Sequence, residues 1–180
     1  MPNTKKNGKI RTIIHLYSPK TELRKLTTLK NVKFDNSTLM TFMNIVKLNG
    51  EDTELYRRVA HLVMNREVLA SNNNYPFKTS SEHIWFVACD DEGRTLGFIP
   101  VVLRNRKATI NNYYAAEDDE EVLCLMLTQL IQEFKKDFAI ISVTQNKHIQ
   151  AFRRCGFSVM FEWEKYVKMI YNEDDQKKRL

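Results

Sequence analysis

Between Ile84 and Thr144 the chain passes through three short apolar stretches, one amphipathic helix and a further apolar stretch, an order that few folds accept. Ile84–Asp90 (IWFVACD), Thr95–Leu103 (TLGFIPVVL) and Ala108–Ala115 (ATINNYYA) have the length and texture of strands. Asp91-Glu92-Gly93 and Arg104-Asn105-Arg106-Lys107 between them leave room only for tight turns, which join antiparallel neighbours into a meander. Pro100 lies inside the second stretch and has no N–H, so it belongs at an edge, a bulge or an unpaired position. The helix, from about Asp119 to Lys136, aligns Leu123, Met126, Leu127, Leu130 and Phe134 on one face, with Val122 and Ile131 widening it. Acids crowd its start and Lys135-Lys136 its end, as the helix dipole favours. Phe138–Thr144 (FAIISVT) is then a buried strand, brought parallel to a neighbour by a right-handed crossover.

The flanks add to the same sheet. Thr38–Lys47 reads as a strand stopped by Asn49-Gly50. Leu55, Val59, Leu62, Val63, Arg66 and Leu69 share one face of a single helix that ends at Asn72-Asn73-Asn74. His148–Cys155 is a short helix closed by Gly156, and Phe157–Phe161 and Lys165–Tyr171 are the last strands. Upstream, Lys9–Tyr17 alternates like a strand and Pro19–Leu29 has helical spacing. The expected class is α/β (α+β): a mixed, mostly antiparallel sheet flanked by helices. The expected organisation is a basic N-terminal extension over 1–37, one domain over 38–171 and a polar tail over 172–180.

Composition narrows the function classes. With 43% hydrophobic and 28% charged residues among 180, the chain can build a core. No apolar run approaches the ~18–20 residues that cross a bilayer, and no apolar stretch of signal-peptide type follows the basic start, so a cytoplasmic protein without a membrane role is expected. The net charge of +6 is local: residues 1–34 hold nine Lys/Arg against one acid, Glu22, and the rest is slightly acidic. Such an arm suits phosphates, nucleic acid or an acidic protein. Cys89, Cys124 and Cys155 form no Cys-x-x-Cys pair, and His15, His61, His83 and His148 form no metal-binding helix signature, so no metal site is expected.

The element order, together with Ala151-Phe152-Arg153-Arg154-Cys155-Gly156-Phe157, resembles the GNAT superfamily of acyl-CoA-dependent N-acyltransferases. Members commonly close the last helix with a pattern like Ala-x-x-Leu-Tyr-x-Lys-x-Gly-Phe. Aligned on Gly156-Phe157, Arg154 takes the Lys position and Phe152 the Tyr position, Ala151 replaces Leu, and His148 stands where Ala is usual. The resemblance implies acetyl-CoA or another acyl-CoA as cofactor and transfer of the acyl group to an amine acceptor. It places the pantetheine arm against the strand backbone at Tyr113 and Ala115, and cofactor contacts at Gln145, Asn146 and Arg154.

Two departures from the family pattern bear on activity. The family's pyrophosphate loop, Gln/Arg-x-x-Gly-x-Gly/Ala, is replaced by Glu117-Asp118-Asp119-Glu120-Glu121-Val122-Leu123, with no glycine and five consecutive acids. An anion site at a helix start depends on free N–H groups and close backbone approach, and like charges work against it. The tyrosine that commonly serves the departing thiolate is Phe152, which leaves Tyr113, Tyr114, Ser142 and Thr144 as the hydroxyls bordering the cleft. The sequence therefore supports an acyltransferase. Its alternative is a catalytically degenerate GNAT-fold binding or accessory protein, with residues 1–34 contacting nucleic acid or an acidic partner.

Overall fold

The computed structural model describes residues 31–33 and 41–173. The strand and helix expected over 9–17 and 19–29, and the tail from 174 on, lie outside the described residues. The strands are β1 (Asn31–Lys33), β2 (Thr41–Asn49), β3 (His83–Cys89), β4 (Thr95–Arg104), β5 (Lys107–Ile110), β6 (Tyr114–Ala115), β7 (Ala139–Gln145), β8 (Phe157–Glu162) and β9 (Tyr166–Tyr171). The helices are α1 (Thr53–Val63), α2 (Arg66–Ser71), α3 (Glu120–Phe134) and α4 (Ile149–Arg154). The sheet runs β1-β2-β3-β4-β5-β7-β9-β8, with β6 paired to β4. Every registered pair is antiparallel except β5 with β7. The mixed sheet expected from the crossover is what forms.

One face of the sheet is covered by α3 and α4. Val122, Leu123, Met126, Leu127, Leu130, Ile131 and Phe134 are all buried there, against Phe86, Ile99, Val101 and Phe152. Each fully buried side chain of this kind contributes roughly 2 kcal/mol. The other face packs Leu55 and Val59 of α1 against Trp85, Val87 and Phe98, with Phe77 edge-on to Phe98 at 4.9 Å. Gly97 lets β4 meet β6 and α3 closely, since a Cβ there would lie 2.7 Å from the Tyr114 carbonyl oxygen and 2.9 Å from Met126 Cε.

Two elements differ from expectation. The single helix over Leu55–Leu69 is two helices. Asn65 between them takes an extended backbone (φ −75°, ψ 130°), and its amide oxygen accepts the N–H groups of Glu67 and Val68. Asparagine serves a helix better as a cap than in its interior, so it begins a new helix. The third meander strand is likewise two, β5 and β6, separated by residues 111–113. Pro100 stands on β4 between the stretch registered with β5 (from Val101) and that registered with β6 (Gly97–Phe98). A residue without an N–H costs least in such an interval.

Candidate acyl-transfer cleft

The parallel ladder between β5 and β7 runs from Lys107↔Ala139 to Ile110↔Ser142 and stops. β7 continues to Gln145 paired with β9, while β6 is registered only with β4. The sheet therefore opens beyond Ile110. Among the described residues, the β6 edge that faces β7 has no strand partner, so its backbone groups are available to an extended polar chain.

Tyr113, in the 111–113 interruption, is 3% exposed and packs into the core beside the point where β5 and β7 part. Its hydroxyl accepts the Gln145 backbone N–H at 3.1 Å and lies 3.1 Å from His148 Nδ1. Its ring packs on Phe152 at 5.3 Å between centroids. Burial pushes the phenol well above its ordinary pKa, so it keeps its proton. Burial also lowers the His148 pKa, outweighing the opposing pull of Asp118, so the ring is neutral at neutral pH. His148 Nε2 makes no hydrogen bond but lies 3.4 Å from Asp118 Oδ1. With the ring proton on Nε2, toward that carboxylate, Nδ1 is left to accept the Tyr113 proton. The buried Tyr113 phenol is thus bonded to an imidazole whose far nitrogen faces the half-exposed Asp118 carboxylate.

Of the remaining hydroxyls, Ser142 and Thr144 bond each other at 2.9 Å in the core, and Tyr114 packs on Phe98 at 5.5 Å. Ala115 lies on the open edge of β6. Gln145 ends β7, buried, with its side-chain amide donating to Asn72 Oδ1 at 3.4 Å. Asn146 is exposed and donates its amide to the Glu164 carbonyl, away from the opening. Sequence reasoning did not single out Asp118 or Asn72. For His148 the signal was present, as an imidazole in a position where the family has alanine.

The acidic stretch meets the cleft at the start of α3. The Asp119 carboxylate accepts the N–H groups of Glu121 (2.9 Å) and Val122 (3.2 Å). Lys147 Nζ pairs with Asp118 at 2.6 Å and Arg154 with Glu120 at 2.6 Å. Glu117 and Asp118 both hold φ of 55°, the left-handed region that glycine enters without strain. The N–H groups at the α3 start are thus occupied by the protein's own carboxylate, and Lys147 and Arg154 are held in exposed ion pairs of small net worth.

No family model matches the sequence, and no curated protein does. Solved structures do match. An acyl-CoA N-acyltransferase from Pseudomonas aeruginosa aligns at TM-score 0.57 and 14% identity over 72% of this chain and 99% of that one. Escherichia coli ElaA aligns at TM-score 0.57 and 11% identity over 72% and 99%. A spermidine N-acetyltransferase from Vibrio cholerae, solved with CoA and spermine, aligns at 0.52 and 13% over 71% and 92%. The fold is that of the GNAT acyltransferases. Among the described residues no helix is long and apolar enough to cross a membrane.

Proposed function

We propose that this chain is an N-acyltransferase that moves an acyl group from an acyl-CoA thioester to a primary amine in the opening between β6 and β7. The observation that carries the reading is the Tyr113 hydroxyl, buried beside that opening against Phe152 and bonded to His148. The cofactor supplies an activated acyl group on a good leaving sulfur. Tyr114 and Ala115 would hold its arm through the backbone, and Lys147 and Arg154 would hold its phosphates by exchanging their carboxylate partners. An attacking amine must shed a proton. That proton would pass to Tyr113 Oη as the phenolic proton passes to His148 Nδ1, leaving an imidazolium that faces Asp118; the C–N bond would form as the C–S bond breaks, and the departing thiolate would take a proton from the phenol as His148 returns its own to Tyr113. The hydroxyl that the pattern lost at Phe152 is supplied by Tyr113, from the stretch between β5 and β6.

The test is thiol release from acetyl-CoA by the full chain with a panel of primary amines. Tyr113→Phe and His148→Gln should each lower kcat by roughly 100-fold or more, with little change in acetyl-CoA affinity. The wild-type profile should lose activity on the acid side as His148 takes a proton, and His148→Gln should remove that limb. Unchanged kcat in Tyr113→Phe, or no acetyl-CoA binding at millimolar concentration, would overturn the reading. The Asp119 cap favours a second reading, a GNAT-fold binding module that takes no acyl-CoA. In that reading residues 1–34 meet nucleic acid or an acidic protein, and absence of cofactor binding would support it.

A further inference from the structure

Where α3 meets the end of α4, two cysteines share one seam. Cys124 is half-buried on α3, and Cys155, 7% exposed, directly follows α4. Cys155 Sγ lies 3.9 Å from the Cys124 carbonyl oxygen, and Cys124 Sγ lies 3.6 Å from the carbonyl of Ala151, one turn before Cys155. Arg154 Nη2 approaches Cys124 Sγ at 3.8 Å. Both sulfurs line a hollow of about 500 Å³ together with Thr128, Gln132, Lys135 and Arg154. The neighbouring Cys155 thiol, then the Arg154 guanidinium, draws the Cys124 pKa down to about 7, while the same neighbour and burial push Cys155 up. Cys124 is the more acidic of the two thiols and lies beside a cation on the hollow, while Cys155 keeps its proton. Cys89, by contrast, is 2% exposed on β3.

We propose that Cys124 and Cys155 form a peroxide-responsive thiol pair, with Cys124 the attacking sulfur and Cys155 the resolving one. Cys124 attacks one oxygen of a hydroperoxide, the O–O bond breaks, and the second oxygen leaves and is protonated, as water from hydrogen peroxide. Cys124 is then a sulfenic acid. Cys155 sulfur attacks Cys124 sulfur, the S–S bond forms, and the sulfenic oxygen departs as water with the proton given up by Cys155. Two thiols are oxidised and one hydrogen peroxide becomes two waters. The proposal is independent of acyl transfer.

The experiment treats the full chain with stoichiometric hydrogen peroxide and maps cysteines by intact mass and proteolytic digestion. The expected result is loss of two hydrogens and a cross-linked peptide joining Cys124 to Cys155, unchanged in Cys89→Ser and absent in Cys124→Ser. Cys155→Ser should leave a dimedone-trappable sulfenic acid on Cys124. Iodoacetamide should alkylate Cys124 in the untreated protein roughly tenfold faster at pH 7 than an ordinary thiol. Should a serine variant fail to fold, the wild-type peptide map and alkylation rate still decide. A wild-type map without the Cys124–Cys155 peptide, or Cys124 alkylation at the rate of an ordinary thiol, would overturn the proposal.

Discussion

Replacing Tyr113 with phenylalanine removes one oxygen and leaves the ring against Phe152 and His148, so no cavity opens. Two buried groups lose a partner: the Gln145 N–H, which donates to the hydroxyl at 3.1 Å, and His148 Nδ1, also at 3.1 Å. A buried donor or acceptor left unsatisfied costs ~1–3 kcal/mol, which puts Tyr113→Phe at about 2–6 kcal/mol in total. The assay is urea unfolding at pH 8, where His148 is neutral in folded and unfolded chains alike. With an unchanged m-value of about 2 kcal/mol/M, the midpoint should fall by about 1–3 M. His148→Gln in the same background should lose less than it does alone, because the two residues share a bond. A loss under about 0.5 kcal/mol would refute the bridging role, since no buried hydroxyl with two partners is that cheap to delete.

Other perturbations separate the remaining claims. His148 has a lowered folded pKa, so the stability tied to its neutral form is complete above the ordinary imidazole value of 6.5 and is lost as pH falls from there through the lowered value. His148→Gln should flatten the dependence of unfolding midpoint on pH in that window. Asp119→Ala should destabilise by about 1 kcal/mol through loss of the cap, yet tighten acetyl-CoA binding measured by calorimetry, because two N–H groups are freed and one charge is removed. Glu117→Gly should raise the thermal midpoint, with about 1 kcal/mol gained from relief of the left-handed backbone. Asp90 is buried on the β3–β4 turn and accepts Arg94 N at 2.8 Å and Arg94 Nε at 2.6 Å. Burial alone would raise its carboxyl pKa, but the Arg94 bonds prevail and lower it. Asp90→Asn should therefore cost about 1–3 kcal/mol at neutral pH in a urea titration.

The α3 stripe was fully legible, all seven positions, because a fifteen-residue helix repeats its period often enough to fix one face. The parallel closure onto β7 followed from crossover handedness. The break at Asn65 was not legible, since Asn65, Arg66 and Glu67 between Val63 and Val68 do not disturb a helical count. Nor was the interruption at 111–113, where Asn111-Asn112 keeps the look of a strand while the chain leaves its ladder. The cleft was the least legible part. Tyr113 and His148 are 35 residues apart, and the acids of the α3 start meet Lys147 and Arg154 from 29 and 34 residues away. Five carboxylates in a row announce repulsion, and nothing local reveals that one would cap the helix and two would meet cations.

Three residues off the ladder also set a phase. Side chains on an extended chain alternate between the two sides of a sheet. Shortening the stretch between Ile110 and Tyr114 by one residue would present Asn112, or nothing, where the aromatic alcohol now stands. The same shift would free the loop carbonyl of Pro76, which Asn112 holds at 3.2 Å. Length at this spot is therefore a stricter requirement than composition, and a one-codon deletion there would do more harm than most point changes in the surrounding strands.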